Sequence, residues 1–223
     1  MDSLDDRKRA LRAQVNDRGP RSGAEVQAAS SLLLRRLLAS GLLLGARTVG
    51  LYRALPSEVQ TDALALALER SGARVVYPVV RPVERQMPPA VERPLSPRLV
   101  QPSDRALAFH PLAGPTRRGP LGVEEPAQEG PPVPLAEVDL FILPGLAADL
   151  AGRRLGRGKG YYDATLAAAP HALAVMLLYD AGLVADVPVG QHDVQVDAVC
   201  TESRLLLCSA RARERVARGD GKP

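Results

Sequence analysis

The chain has 223 residues, 46% of them hydrophobic and 24% charged, and carries a formal net charge of +4. That is the composition of an ordinary globular protein long enough to bury a substantial core, most simply as one domain. No run approaches the roughly 18 consecutive apolar residues of a membrane span, and so modest a charge neither requires nor excludes an anionic ligand.

Leu4, Leu11 and Val15 are spaced as the apolar stripe of a short helix over 4–15 with a basic outer face, broken at Gly19-Pro20. A longer helix is predicted over 24–39, with its stripe through Leu33, Leu34, Leu37 and Leu38 and its stop at Gly41. Residues 48–52 read as a buried strand, 61–70 as a helix closed by Gly72, and 74–77 as a second strand stopped by Pro78. From 80 to 134 prolines and glycines are dense, and one strand is expected there, at 107–109. A loop-dominated stretch of that length is usually functional or mobile.

Order returns with the apolar run 138–143, entered past Glu137 and Asp139 and ended by Pro144-Gly145. A glycine-rich loop leads into a helix over 161–169, a strand over 172–178, short strands at 197–200 and 204–208, and a basic helix over 210–218. Strands alternating with helices predict an α/β layer fold with a mostly parallel sheet. No repeat and no dividing linker is evident. Aromatics are scarce, with two Phe, five Tyr and no Trp, so the core must rest on Leu, Val and Ala.

Cys200 and Cys208 lie in apolar segments, outside any CxxC pair and away from histidine, and read as buried reduced thiols. The N-terminus carries Asp2, Asp5 and Asp6 and lacks an early apolar region, unlike a secretion signal or transit peptide. Both features point to the cytoplasm. His110, His171 and His192 are scattered and read as structural.

The densest signal follows Leu143-Pro-Gly-Leu: a strand leads in, a helix leads out, and Gly156, Gly158 and Gly160 interleave with Arg157 and Lys159 between them. Glycines let backbone amides approach a ligand, and the helix points its N-terminal amides and positive dipole end at the loop. Two cations on the same turn complete an anion cradle suited to a triphosphate. The plain alternative is a flexible, solvated turn. Lys159 is followed by Gly160 rather than Ser or Thr, so this is not a Walker A loop, and the dinucleotide GxGxxG spacing is missing too. Generic motif reading therefore stops at a phosphate site of undefined class.

The run Arg154-Leu-Gly-Arg-Gly-Lys-Gly-Tyr-Tyr-Asp163, preceded by Leu143-Pro-Gly-Leu, resembles the signature of the 5-formyltetrahydrofolate cyclo-ligases (methenyltetrahydrofolate synthetases). Weaker likenesses occur in the family's order. Lys8-Arg-Ala-Leu-Arg12 is similar to its N-terminal Lys-x-x-Leu-Arg helix, and Glu58-Val-Gln-Thr61 to its Glu-x-x-Thr. Gly122-Val-Glu-Glu-Pro126 resembles Gly-Ile-x-x-Pro, and Pro188-Val189 followed by Asp193-Val-Gln-Val-Asp197 resembles a late segment with two aspartates.

The resemblance implies one cyclo-ligase domain over 1–223, with a three-layer α/β/α fold like the sugar-phosphate isomerase and CoA-transferase group. It implies ATP and Mg²⁺ as cofactors, 5-formyltetrahydrofolate as substrate, and a monomer or weak dimer. Lys8, Arg9, Ala10, Leu11 and Arg12 would meet the nucleotide, as would Arg154, Leu155, Gly156, Arg157, Gly158, Lys159, Gly160, Tyr161 and Tyr162. Arg157 and Lys159 would be catalytic, and the stretch from Arg157 to Tyr161 would also touch the folate. Glu58 would hold the folate, and Asp163 with Asp197 would hold magnesium. Taken alone, Lys8 and Arg12 read as a solvated basic face and Asp163 as a helix-start acid. Tyr161 and Tyr162 read as core or as a stacking pair, with two adjacent tyrosines beside a cationic loop in so aromatic-poor a chain favouring a ligand role.

One departure stands out: the family commonly has an aromatic where this chain has Ala148, which would loosen packing around the pterin. Two rivals remain. A non-catalytic paralogue would bind folate or nucleotide without turnover, although the intact glycine-rich run argues against it. A nucleic-acid binder is suggested by the basic ends, but no nucleic-acid motif accompanies them.

Overall fold

The computed structural model describes residues 2–16, 18–20, 22–80, 105–112, 114–120, 122–127 and 130–220. In chain order, α1 (Leu4–Val15) and α2 (Gly23–Ala39) precede β1 (Thr48–Gly50), α3 (Asp62–Arg70), β2 (Arg74–Val79) and β3 (Ala108–Pro111). Next come β4 (Thr116–Arg118), β5 (Glu124–Pro126), β6 (Leu140–Leu143), β7 (Ala147–Ala148) and β8 (Arg154–Leu155). The chain closes with α4 (Tyr161–Ala168), β9 (Leu173–Leu177), β10 (Ala198–Cys200), β11 (Leu205–Leu207) and α5 (Ala210–Asp220).

A seven-stranded sheet runs in the order β11-β10-β9-β6-β1-β2-β3. The strands from β10 to β2 are parallel, and β11 and β3 add antiparallel edges. Alternate residues of each inner strand feed two separate cores. Val49, Leu140, Ile142, Val175 and Leu177 face one side, where Leu33 and Leu37 of α2, Leu64 and Leu68 of α3, and Ala212 of α5 cover them. Phe141, Leu143, Ala174, Met176 and Val199 face the other, under Leu166 of α4 and the segment carrying Leu107 and Phe109. Burial on both faces explains the uninterrupted apolar runs of the inner strands. The result is the three-layer α/β/α arrangement expected.

Local chemistry sets the element ends. Ser22 and Glu25 form a reciprocal cap on α2, the serine hydroxyl accepting from the Glu25 amide and the Glu25 carboxylate from the Ser22 amide. Gly72 takes a φ of +86° after α3, a conformation an L side chain resists.

Four details differ from the sequence expectation. Leu38 faces solvent, because the stripe of α2 runs through Val26, Ser30, Leu33, Leu34 and Leu37. Pro78 does not stop β2. The Val76 carbonyl accepts from Leu51 on the β1 side, and Pro78, two residues on, turns its nitrogen the same way, past the end of β1, so no ladder bond is lost. Among its described residues the middle stretch holds three strands rather than one, because β4 and β5 form a hairpin. Thr116, Arg117 and Arg118 of β4 are all exposed and carry no apolar alternation to betray them. The glycine-rich loop begins with its own hairpin, β7–β8. Residues 81–104 of the expected loop region lie outside the described residues.

Candidate active site

From β1 the chain moves outward through β2 to β3. It then returns on the other side of β1 as β6 and continues through β9 to β10. Loops leaving the C-terminal ends of β1 and β6 therefore diverge, and open α/β sheets bind ligands in such a crevice. A cavity of about 360 Å³ opens there. Tyr52 and Arg53 beyond β1, Pro78 and Val80 at the end of β2, and Pro144 and Gly145 beyond β6 form part of its wall.

The glycine-rich loop is anchored before it reaches the cavity. Asp149, 1% exposed, accepts from the amides of Ala151, Arg153 and Val187 at 3.0–3.1 Å and pairs with the Arg153 guanidinium at 2.6 Å. A Cβ on Gly145 would strike the Met176 methyl group, so a side chain at the turn out of β6 would require Met176 to move. Gly158 and Gly160 take φ values of +88° and +71°, and Gly160 caps α4. Gly156, Gly158 and Gly160 all line the cavity, together with Arg157 and the exposed Lys159.

Helix α1 lies against this arc. Leu11 and Val15 pack on Ala147, Leu155 and Val187, which turns Lys8 and Arg12 into the cavity. Arg12 Nε donates to the Gly156 carbonyl at 2.9 Å. Lys8 binds both oxygens of Asp193, at 2.6 and 2.8 Å. Arg9 and Ala10 point to solvent, and Arg9 pairs with Asp6 at 3.1 Å. The Lys8 to Arg12 run thus divides into two cavity cations, one apolar anchor and two outward residues.

Arg154, with its side chain 5% exposed, donates to Asp163 Oδ1 at 2.7 Å. Burial pushes its pKa below the ordinary guanidinium value, and the carboxylate opposes that shift. Asp163 Oδ1 also accepts from the Val194 amide at 3.0 Å. The Asp193 carboxyl feels burial first, which raises it. The Lys8 hydrogen bond, the Gly190 amide and the charges of Lys8 and Arg154 outweigh burial and hold it below the usual carboxylate range. Glu58 receives Arg157 Nη2 at 3.0 Å and the Leu55 amide at 3.0 Å. Tyr161 and Tyr162 both line the cavity, and burial raises the Tyr162 phenol well above its ordinary value.

Asp197 is not part of this site. It is 4% exposed, grips Arg211 with both oxygens at 2.6 and 2.7 Å, and accepts from the Ala174 amide at 2.8 Å. Its side chain fastens α5 and β9 to the start of β10, and it lines no part of the cavity. The carboxylate brought beside Asp163 is Asp193, four residues earlier. Ala148 is likewise elsewhere. It is fully buried in the core beneath α4, so a missing ring there does not open the cavity wall. His110, His171 and His192 also lie outside the lining.

The sequence model of the 5-formyltetrahydrofolate cyclo-ligase family matches residues 5–202. The chain belongs to that family. It is 34% identical over 176 residues to the 5-formyltetrahydrofolate cyclo-ligase of Mycolicibacterium smegmatis, a match covering 75% of this chain and 80% of that one. Against the Escherichia coli K12 enzyme of the same name it is 31% identical over 163 residues, covering 72% and 80%. Its fold is similar to that of the Aquifex aeolicus 5,10-methenyltetrahydrofolate synthetase. The TM-score is 0.70 at 25% identity, over 90% of this chain and 92% of the other.

Within this cyclo-ligase fold, sequence reading missed Tyr52, Arg53, Val80, Leu107, Glu125 and Asp193 as cavity residues. Two of them could have been flagged, since Tyr52 ends and Arg53 directly follows a predicted inner strand at its ligand-binding end. Glu125 lies within the Gly122–Pro126 likeness but drew no role there, because β5 was not legible as a strand.

Proposed function

We propose that the chain converts 5-formyltetrahydrofolate and ATP to 5,10-methenyltetrahydrofolate, ADP and phosphate with the help of Mg²⁺, as a single cytoplasmic domain working on a small molecule. The observation that carries this reading is the convergence of Lys8, Arg12, Arg154, Arg157 and Lys159 on one glycine arc inside one cavity. A formamide carbonyl is a poor electrophile, but its oxygen can attack the γ-phosphate. The resulting imidoyl phosphate is activated toward N10. Fixed cations and oriented amides stabilise the charge spread over the transferring phosphoryl oxygens.

Two ion pairs in the cavity are ready to exchange partners. Arg157 can leave Glu58 for phosphate, freeing the Glu58 carboxylate for the adjacent N–H donors of the amino-pyrimidinone ring. Lys8 can leave Asp193 for phosphate in the same way. The residues present fit magnesium. Asp163 and Asp193 are hard oxygen donors beside the phosphate cradle, and two carboxylates suffice for an ion that otherwise keeps phosphate and water ligands. When bound, the ion would neutralise phosphate charge. Asp193 thereby replaces Asp197 as the partner of Asp163.

The test is the absorbance of the methenyl product, followed with and without ATP and Mg²⁺, with Asp163→Ala as control. Turnover that needs both and collapses in the variant supports the reading. A well-folded parent protein that binds folate without turning it over would instead make the chain a non-catalytic relative.

A further inference from the structure

Among the described residues that line the cavity, Glu125 is the buried carboxyl that the preceding reading leaves without a task. Glu58, Asp163 and Asp193 are each paired with a cation, and Glu124 accepts from the Thr116 hydroxyl. Asp5 sits exposed on α1. Glu125 is 1% exposed on β5 and lines the cavity beside the apolar Val80, Leu107 and Val123. Its Oε1 accepts weakly from the Val80 amide at 3.4 Å, and its Oε2 is buried with no hydrogen-bond partner among the described residues.

The hairpin makes room for this group. A Cβ on Gly119 would overlap the Glu125 carboxyl, so the β4–β5 turn gives up a side chain to seat it. An orphaned buried carboxyl oxygen costs on the order of 1–3 kcal/mol, and its retention calls for an explanation, of which a catalytic role is one. Burial also raises its pKa, against the Val80 amide and the charge of Arg117 across the hairpin. The titratable groups on the strands packed against it are Arg117 and Arg118 on β4, Glu124 on β5, and Arg74 and Tyr77 on β2. Of these, Arg117 is the one whose charge acts on it.

Ring closure needs a proton acceptor. We propose that Glu125 is the general base that takes the N10 proton as 5-formyltetrahydrofolate closes, an inference that rests on the reaction proposed above. The N10 lone pair forms the new bond to the formyl carbon of the imidoyl phosphate. The N10–H bond breaks, its electrons stay on nitrogen, and the proton passes to Glu125 Oε2. The carbon–oxygen bond to phosphate breaks with its electron pair leaving on phosphate, and the product's positive charge spreads over N5 and N10. The other cavity groups serve less well: Glu58, Asp163 and Asp193 are each engaged by a cation, burial keeps the Tyr52 and Tyr162 phenols protonated, and the three histidines lie outside.

Glu125→Gln is the test, because the amide keeps the shape and still accepts from Val80. The single-turnover rate of methenyl formation is expected to fall about 10²–10⁴-fold, with KM for ATP and for 5-formyltetrahydrofolate unchanged and the acid limb of the parent's rate profile abolished. A parent-like rate, or a loss carried by KM alone with the acid limb intact, overturns the assignment. If glutamine unfolds the hairpin, Glu125→Asp decides: a slower rate with the acid limb retained supports it, and an unchanged rate refutes it. Turnover by the parent protein in the same assay tests the reaction itself, so failure of the base and failure of the proposed function are separable.

Discussion

Replacing Asp197 by Ala separates a structural carboxylate from a metal ligand. The variant loses both hydrogen bonds to Arg211 and the acceptor for the Ala174 amide. A buried amide left without its acceptor costs about 1–3 kcal/mol. Arg211 is 44% exposed and is largely rehydrated once released, so its share is about 0–1 kcal/mol. The sum, about 1–4 kcal/mol, corresponds to a fall in Tm of about 2–16 °C for a domain of this size. Thermal unfolding followed by circular dichroism reads the stability. Initial rates against Mg²⁺ concentration, taken well below the variant's Tm, read the metal. The expected result is a large stability loss with an unchanged half-saturating Mg²⁺ concentration. A variant as stable as the parent that needs about tenfold more Mg²⁺ would refute the structural assignment.

Gly50→Ala should destabilise the sheet by about 1–3 kcal/mol, because its Cβ would meet the Phe141 ring at 2.5 and 2.8 Å and Phe109 at 3.1 Å. Urea unfolding checks this, and a parent-like midpoint would show that the ring pair can move aside. Lys8→Met should remove part of the protein's acid sensitivity. The Asp193 carboxyl is depressed in the folded state, so its contribution is complete above its ordinary value of 3.8 and is lost as pH falls through the lower folded value. Stability of the parent should therefore decline more steeply below about pH 4 than that of the variant, as measured by denaturant midpoints across the acid range. Parallel curves would mean that Lys8 does not set the Asp193 titration.

The parallel sheet, its flanking helices and the glycine-rich arc were legible because each rests on local rules. The run Leu140–Leu143 is apolar at every position since β6 is buried on both faces, and the three glycines with their cations precede a helix start. The β4–β5 hairpin was invisible because exposed Arg117 and Arg118 carry no periodicity, and with it went Glu125. The choice between Asp193 and Asp197 also escaped sequence reading. Both carboxylates occupy one short segment, and only the packing of α5 decides that Arg211 takes Asp197, while the approach of α1 gives Asp193 to Lys8. Residue type and spacing determined that this chain builds a glycine-rich, cationic cradle at a strand–helix junction. Which distant acids meet that cradle was decided by tertiary structure, because their partners come from opposite ends of the chain and share no local pattern with them.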